Sequence, residues 1–335
     1  MTRQRKHWID LLRGICMLAI LLDHTEIYYT GTNIINYNAY VVNALTIFFM
    51  LSGYLMYKEN GFDIRKKMKS IARTLLFPYF IFSALISLPK NLVHGNEINI
   101  MNICEQIILG QASWFIAALC LSEVIFAATI WIARGKNLAL FFVGIMGFGF
   151  SIYLSQGKQP YPWQLDNSMQ ALLFLWIGYT YHRYETKANI INRTAYIPIF
   201  ALLLICIKVY ENMNNVNMLV WPISINNYPI FLLDMLLCSV MMIQILKRLP
   251  PWQMAGMDRF AFPGLLFSMW RRATHYKQSF RKDRTKLSWQ LSIRDSSIHH
   301  RIYNNNHPNM VHLQIFTFYN RKEIGKKQIK YLKKK

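Results

Sequence analysis

A chain of 335 residues with 53% apolar and only 16% charged side chains falls short of the roughly 25% charge usual in soluble domains. Its 38 Lys and Arg against 16 Asp and Glu leave a net charge of +22, a balance that suits phosphate-rich partners or an anionic membrane surface. The distribution excludes a soluble helical core: apolar runs of about 17–20 residues recur down the chain, too many to bury in so small a domain.

A helix crosses the roughly 30 Å hydrocarbon layer in about 20 residues, and charge inside it is costly. Eight transmembrane helices are predicted on that basis, at 9–29, 39–57, 71–88, 111–133, 138–155, 168–182, 195–210 and 228–246, which makes the fold an all-α polytopic membrane helix bundle. The sixth and seventh are short and need interfacial neighbours or local thinning to span. Lys and Arg cluster before the first span and in alternate connections: Arg3, Arg5 and Lys6; Lys58 to Lys69; Arg134 and Lys136; Arg183 to Arg193; Lys247 and Arg248. The other connections are nearly free of them. This positive-inside pattern predicts a cytoplasmic N-terminus in a multi-pass protein of a bacterial-type inner (cell) membrane. The first apolar segment follows a basic start, as a signal peptide would, but Asp10, Arg13, Asp23 and His24 interrupt it, so it reads as a retained helix.

Ionisable groups inside a span are functional candidates, because a partner or an aqueous cavity must offset their desolvation. In the first span Asp10 and Arg13 are three residues apart and share a helix face, as a structural ion pair or as part of a site. His24 lies about 16 Å further along, three turns on and near the same face. An imidazole there either packs as a satisfied side chain or exchanges a proton near neutral pH. Glu26 lies nearer the outer boundary, within reach of water. In the second span Gly53 allows close backbone approach and Ser52 can satisfy a neighbouring polar group. Arg73 enters the third span ahead of Pro78, which leaves a carbonyl unpaired and can bend the helix around a cavity. Arg73 can meet a phosphate there or snorkel to headgroups.

Trp114, Tyr161, Trp163 and Trp221 mark the opposite interface as an aromatic belt. Cys16, Cys104, Cys120, Cys206 and Cys238 lack metal-ligand spacing, and no nucleophile elbow, phosphate-binding glycine loop or zinc motif occurs. The chain divides into a membrane domain over 1–249 and a tail over 250–335 that holds 18 Lys or Arg against 4 Asp or Glu. The tail carries no base-reading motif, so specific nucleic-acid binding is not expected. It is either a basic cytoplasmic extension or out-of-frame translation of what were further spans, since a one-base shift from Met269 onward permits a less charged sequence.

Asp10-Leu11-Leu12-Arg13-Gly14 followed by His24, and Phe48-Phe49-Met50-Leu51-Ser52-Gly53-Tyr54-Leu55 in the second span, together resemble the integral-membrane acyltransferase-3 family, especially its polysaccharide O-acetyltransferase and fucose 4-O-acetylase-like branches. Arg73 with Pro78-Tyr79, Trp114-Phe115-Ile116 and Phe174-Leu175-Trp176-Ile177-Gly178 are weaker landmarks in the same order. Many members carry paired arginines at the start of span three. Here Ser70 takes the upstream place, with Lys69 beside it. The resemblance implies about ten spans and transfer of an acyl group, most often acetyl, from acetyl-CoA to a hydroxyl of a cell-surface or lipid-linked carbohydrate, within membrane lipids and without a metal. It implies that Arg13, Arg73 and Lys69 hold the donor, that His24 takes the hydroxyl proton, that Asp10 pairs with Arg13, and that Ser52 orients His24 or the substrate. A transporter or flippase of a lipid-linked saccharide, or a degenerate inactive acyltransferase, are the competing readings.

Overall fold

A computed structural model of the chain describes residues 6–59, 61–94, 100–188 and 194–249; the basic tail expected over 250–335 lies outside them. Helices α1 (His7–Thr30), α2 (Tyr37–Met56), α3 (Ile64–Ile71), α4 (Phe77–His94), α5 (Ile100–Ile108), α6 (Trp114–Ile132), α7 (Asn137–Ser155), α8 (Leu165–Arg183), α9 (Glu185–Ala188), α10 (Tyr196–Met213) and α11 (Tyr228–Leu246) account for nearly all of the structure. A two-residue antiparallel pair, β1 (Met218–Leu219) with β2 (Ser224–Ile225), closes the loop before α11. Every predicted span contains a helix. The two short segments prove longer than hydropathy suggests, at 19 residues for α8 and 18 for α10, and α5 lies in the connection between the third and fourth predicted spans.

Local chemistry sets the helix ends. Gly31 closes α1 at φ +76°, its N–H bonded to the Ile27 carbonyl, a left-handed cap that glycine adopts without steric cost. The Asn36 side chain accepts from the Asn38 N–H to start α2, and Asp63 accepts from the Lys66 N–H to start α3, seven residues ahead of the predicted span. Between α3 and α4 the helix widens into a π-turn over Ala72–Leu76, with the Phe77 N–H reaching back to the Ala72 carbonyl. Pro78 is the cause we assign: it has no N–H to offer and its ring crowds the preceding turn, so the wider turn takes up the mismatch.

Among the described residues, six helical stretches are long and apolar enough to cross a membrane: α2, Ile64–Ile86, α6, α7, α10 and α11. α1 misses that standard through its charges and α8 through the polar residues at both its ends. Yet α8 is the axis of the bundle, packed most extensively on α7 and α2. This follows from solvation, because polar groups at membrane depth need protein around them and so draw their helix inward. The apolar stretches sort the other way: 11% of α10 and of Ile64–Ile86 is buried, against 78% of α2.

Two glycines make the central crossing possible. A Cβ on Gly53 would overlap the backbone of Leu175, and one on Gly178 would overlap the Met50 carbonyl and lie 2.9 Å from the Tyr54 N. The backbones of α2 and α8 therefore touch, the close approach anticipated for Gly53. On the other side of α8, a Cβ on Gly147 of α7 would come within 2.8 Å of Leu172 and 2.9 Å of the Met169 carbonyl.

At the end of the bundle that carries Lys6, three chain segments are tied together through Glu185. Its carboxylate accepts from Lys6 Nζ at 2.7 Å, Lys247 Nζ at 2.7 Å and the Tyr54 hydroxyl at 2.6 Å. Lys247 also lies over the rings of Trp8 and Tyr181, and His182 stacks on Tyr54 while donating from Nδ1 to the Tyr54 carbonyl at 2.6 Å. Burial alone would push the Glu185 carboxyl up, but the hydrogen bonds from Lys247, Lys6 and Tyr54 bring it down to about 2. A depressed carboxyl contributes stability above its ordinary value, near 4.5, and loses it as pH falls towards 2. Stability against thermal unfolding in detergent is expected to fall by ~1–2 kcal/mol below pH 4.5, after allowance for solvent screening, and Glu185→Gln should flatten that slope. An unchanged slope in the variant would place the acid sensitivity elsewhere.

Candidate functional site

Four helices converge on one acid in the half of the bundle nearer Lys6. Glu123 of α6 is 6% exposed. The Ser52 hydroxyl of α2 donates to Glu123 Oε1, and Lys67 Nζ of α3 pairs with Oε2 at 2.8 Å. Arg13 of α1 is within electrostatic reach of both Glu123 and Asp10. Two basic and two acidic side chains thus share a largely enclosed centre, so each buried charge has an opposite charge to offset its desolvation.

The expected site residues separate into three groups. Asp10, Arg13 and Ser52 belong to this centre, but Ser52 is committed to Glu123, where the resemblance aims it at His24 or the substrate. Lys69 and Arg73 are exposed on the flank of α3 and the π-turn, so their charges face outward from the basic end of the bundle. Lys67, two residues from Lys69, is the cation that turns inward. His24 stands higher on α1. Arg13, Met17 and Ile20 share its face and are half-buried, whereas His24 itself is exposed. Its neighbours in sequence do different work. Asp23 accepts from Asn33 Nδ2 at 2.6 Å, and Glu26, expected to be solvated, is buried and accepts from the backbone N–H groups of Ile34 and Ile35 at 3.0 and 3.2 Å. Both acids tie down the loop after α1: Glu26 takes backbone donors that have no helix to satisfy them, and Asp23 takes the Asn33 side chain.

Sequence reasoning misses Glu123 and Lys67. Glu123 is detectable as an acid in the middle of an apolar span, the same signal that selects His24. Lys67 is hidden within a run of cations that serves to orient the chain.

Polar groups also fill the far half of the bundle. Gln164, Asp166, Asn167, Ser168 and Gln170, at the start of α8, are each at most 2% exposed. Ser168 donates to the Gln164 carbonyl just before α8 and to that of Ala118, and Gln164 accepts from Trp221 Nε1 at 2.9 Å; Trp221 stacks on Trp114 with ring centroids 5.8 Å apart. Among the described residues, the Asp166 carboxylate, the Asn167 amide, the Gln170 Nε2 and the Ser151 hydroxyl on α7 find no hydrogen-bond partner. Buried groups of this kind are met by water or by ligand, so the core is polar through this half as well. Among the described residues, no group of three or more His, Cys, Asp and Glu is placed to hold a metal ion.

A bundle of apolar helices around a largely enclosed charged centre defines a multi-pass integral membrane protein. A family profile described as an acyltransferase domain matches residues 6–267, and the chain belongs to this family of membrane acyltransferases. No curated protein and no solved structure matches the chain.

Proposed function

We propose that the protein is a membrane O-acyltransferase that moves an acetyl group from acetyl-CoA to a hydroxyl of a cell-surface or lipid-linked carbohydrate. The observation that carries this reading is the Glu123 centre, lying below His24 on the flank of α1 that bears Arg13. The Lys6 end faces the cytoplasm of a bacterial-type inner membrane, as the charge pattern indicates. Arg73 and Lys69, exposed at that end, meet the phosphates of the donor. Arg13, held electrostatically by Asp10 and Glu123, orients the pantetheine arm or the thioester carbonyl. His24 removes the acceptor proton as the hydroxyl oxygen attacks the thioester carbonyl, and returns it to the leaving thiolate. Ser52 acts through Glu123, keeping the centre fixed, and is no covalent nucleophile. Holding donor and acceptor in one helix-lined space supplies an advantage that charge alone would not. The eight predicted spans serve this role where about ten are expected for the family, and the basic tail over 250–335 is either an extension or an out-of-frame segment.

The unpartnered polar groups at the start of α8 would suit a transport path equally well. Radiolabelled acetyl-CoA and a membrane fraction containing surface carbohydrate separate the readings. Transfer of label to saccharide, dependent on the reconstituted protein, is the expected result. Saccharide movement without thioester consumption would replace the enzyme with a flippase, and folded protein that neither binds donor nor turns over would mark an inactive relative.

A further inference from the structure

At the end of the bundle opposite Lys6, between the starts of α2 and β1 and the end of α10, the surface opens into a cavity of about 300 Å³. Its polar wall is Asn36, Asn38, Asn212, Asn215, Asn217 and Glu211, with Tyr37, Val216 and Leu219 adding apolar surface. Glu211 is 4% exposed. One of its carboxylate oxygens takes Lys208 Nζ at 3.1 Å, and the other is buried with no hydrogen-bond partner among the described residues. Lys208 is itself held from behind, 2.7 Å from Asp234 Oδ2 and 2.6 Å from the Asn38 carbonyl, and Asn43 Nδ2 adds 2.9 Å to the same Asp234 oxygen. The acid is therefore braced through one oxygen and unsatisfied at the other.

We propose that this cavity is a binding site for an uncharged sugar ring. The ligand class follows from the lining. Two carboxylates share one lysine, so the site repels anions such as phosphate. That lysine already occupies the place a cation would take. What remains is demand for a hydrogen-bond donor at the buried, unsatisfied Glu211 oxygen, and asparagine amides that both donate and accept, which is how a hydroxyl presents itself. Val216 and Leu219 offer a patch for the C–H face of a ring. The volume is at the lower end of the range for small-molecule pockets, ~300–1,000 Å³, so it holds one ring and not an extended chain. The walls are set in advance: Asn36 caps α2, Asn38 Nδ2 donates to the Val216 carbonyl at 2.6 Å, and Asn217 Nδ2 donates to Ser224 at 2.9 Å. Asn212 is exposed at the rim and has its side chain to spare for a ligand.

That the sugar is the acyl acceptor rests on the acyltransferase reading; that the cavity binds a sugar does not. The test uses the full chain in lipid nanodiscs and calorimetric titration with glucose, galactose, fucose and N-acetylglucosamine, with inorganic phosphate alongside. At least one sugar should bind saturably and phosphate should not. Asn212→Leu, a change at an exposed side chain that leaves the fold intact, should weaken binding at least about tenfold, and Glu211→Gln should alter the preference among the four sugars. Failure of all four sugars, equal affinity in Asn212→Leu, or preference for phosphate would each overturn the proposal. Sugar binding without thioester consumption would leave the site standing and remove the acyltransferase reading. Acetyl transfer with no binding in the cavity would do the reverse.

Discussion

Replacing His24 by alanine is expected to lower acetyl transfer by at least about a hundredfold, the lower end of what a positioned general base supplies. The protein should survive the change. His24 is exposed, so its loss opens no cavity in the packed interior, and substitutions at such positions usually shift stability by no more than ~0.5 kcal/mol. Helix content, detergent stability and donor binding should therefore match the parent, with the loss confined to turnover. His24→Gln sharpens the result: it keeps a hydrogen-bonding amide of similar reach but cannot take up a proton, so it should be as inactive as the alanine. Parent-like turnover in both variants, in correctly folded protein, would remove His24 from the chemistry. A loss in alanine that glutamine restores would reduce its role to positioning.

The choice of His24 follows from the sequence, and the reason is physical. Hydropathy reports the cost of placing a side chain in hydrocarbon, so apolar spans and the polar exceptions within them are legible in the order of residues alone. The alternation of Lys and Arg likewise records the end-to-end polarity that Lys6, Glu185 and Lys247 share in the fold. Pairing between helices is different. Which side chain an interior Ser or Glu meets depends on crossing angle and rotation, and those are fixed by contacts such as Gly53 with Leu175 and Gly178 with Met50. Rotation of α3 alone decides that Lys67 faces inward while Lys69 and Arg73 face out. The same want of rotational information leaves Ser52 assigned to His24 or the substrate, with no sign of the Glu123 it bonds. Glu26 is expected in water because depth is legible and the fold of the following loop is not. The Asn-lined cavity combines residues from 36–38 and 211–219, and no spacing within either stretch announces the other. The family match runs to residue 267 and so takes in the first 18 residues of the stretch that composition sets apart over 250–335.

Glu123→Ala should be the most damaging single change in the interior. It removes the acid that meets Lys67 at 2.8 Å and the hydroxyl of Ser52, and it leaves Arg13 with Asp10 alone. Breaking one side of a buried ion pair costs about 3–5 kcal/mol, because the remaining charge stays desolvated. Lys67 is 19% exposed and close to the basic end, so part of that cost is recovered if its ammonium swings towards water. A fall of about 3 kcal/mol is the expected net, seen as a midpoint lower by roughly 6–12 °C in detergent. Glu123→Met with Lys67→Met removes both charges and fills the space, and it should regain most of the lost stability, since apolar replacement of a buried pair is often neutral. This double variant separates two roles that the single change confounds. If the centre only holds helices together, the restored bundle should bind donor and turn over like the parent. If Glu123 fixes Arg13 and Ser52 for chemistry, the restored bundle should be folded and inactive, which is the outcome expected from a charge network placed below His24 in the membrane interior.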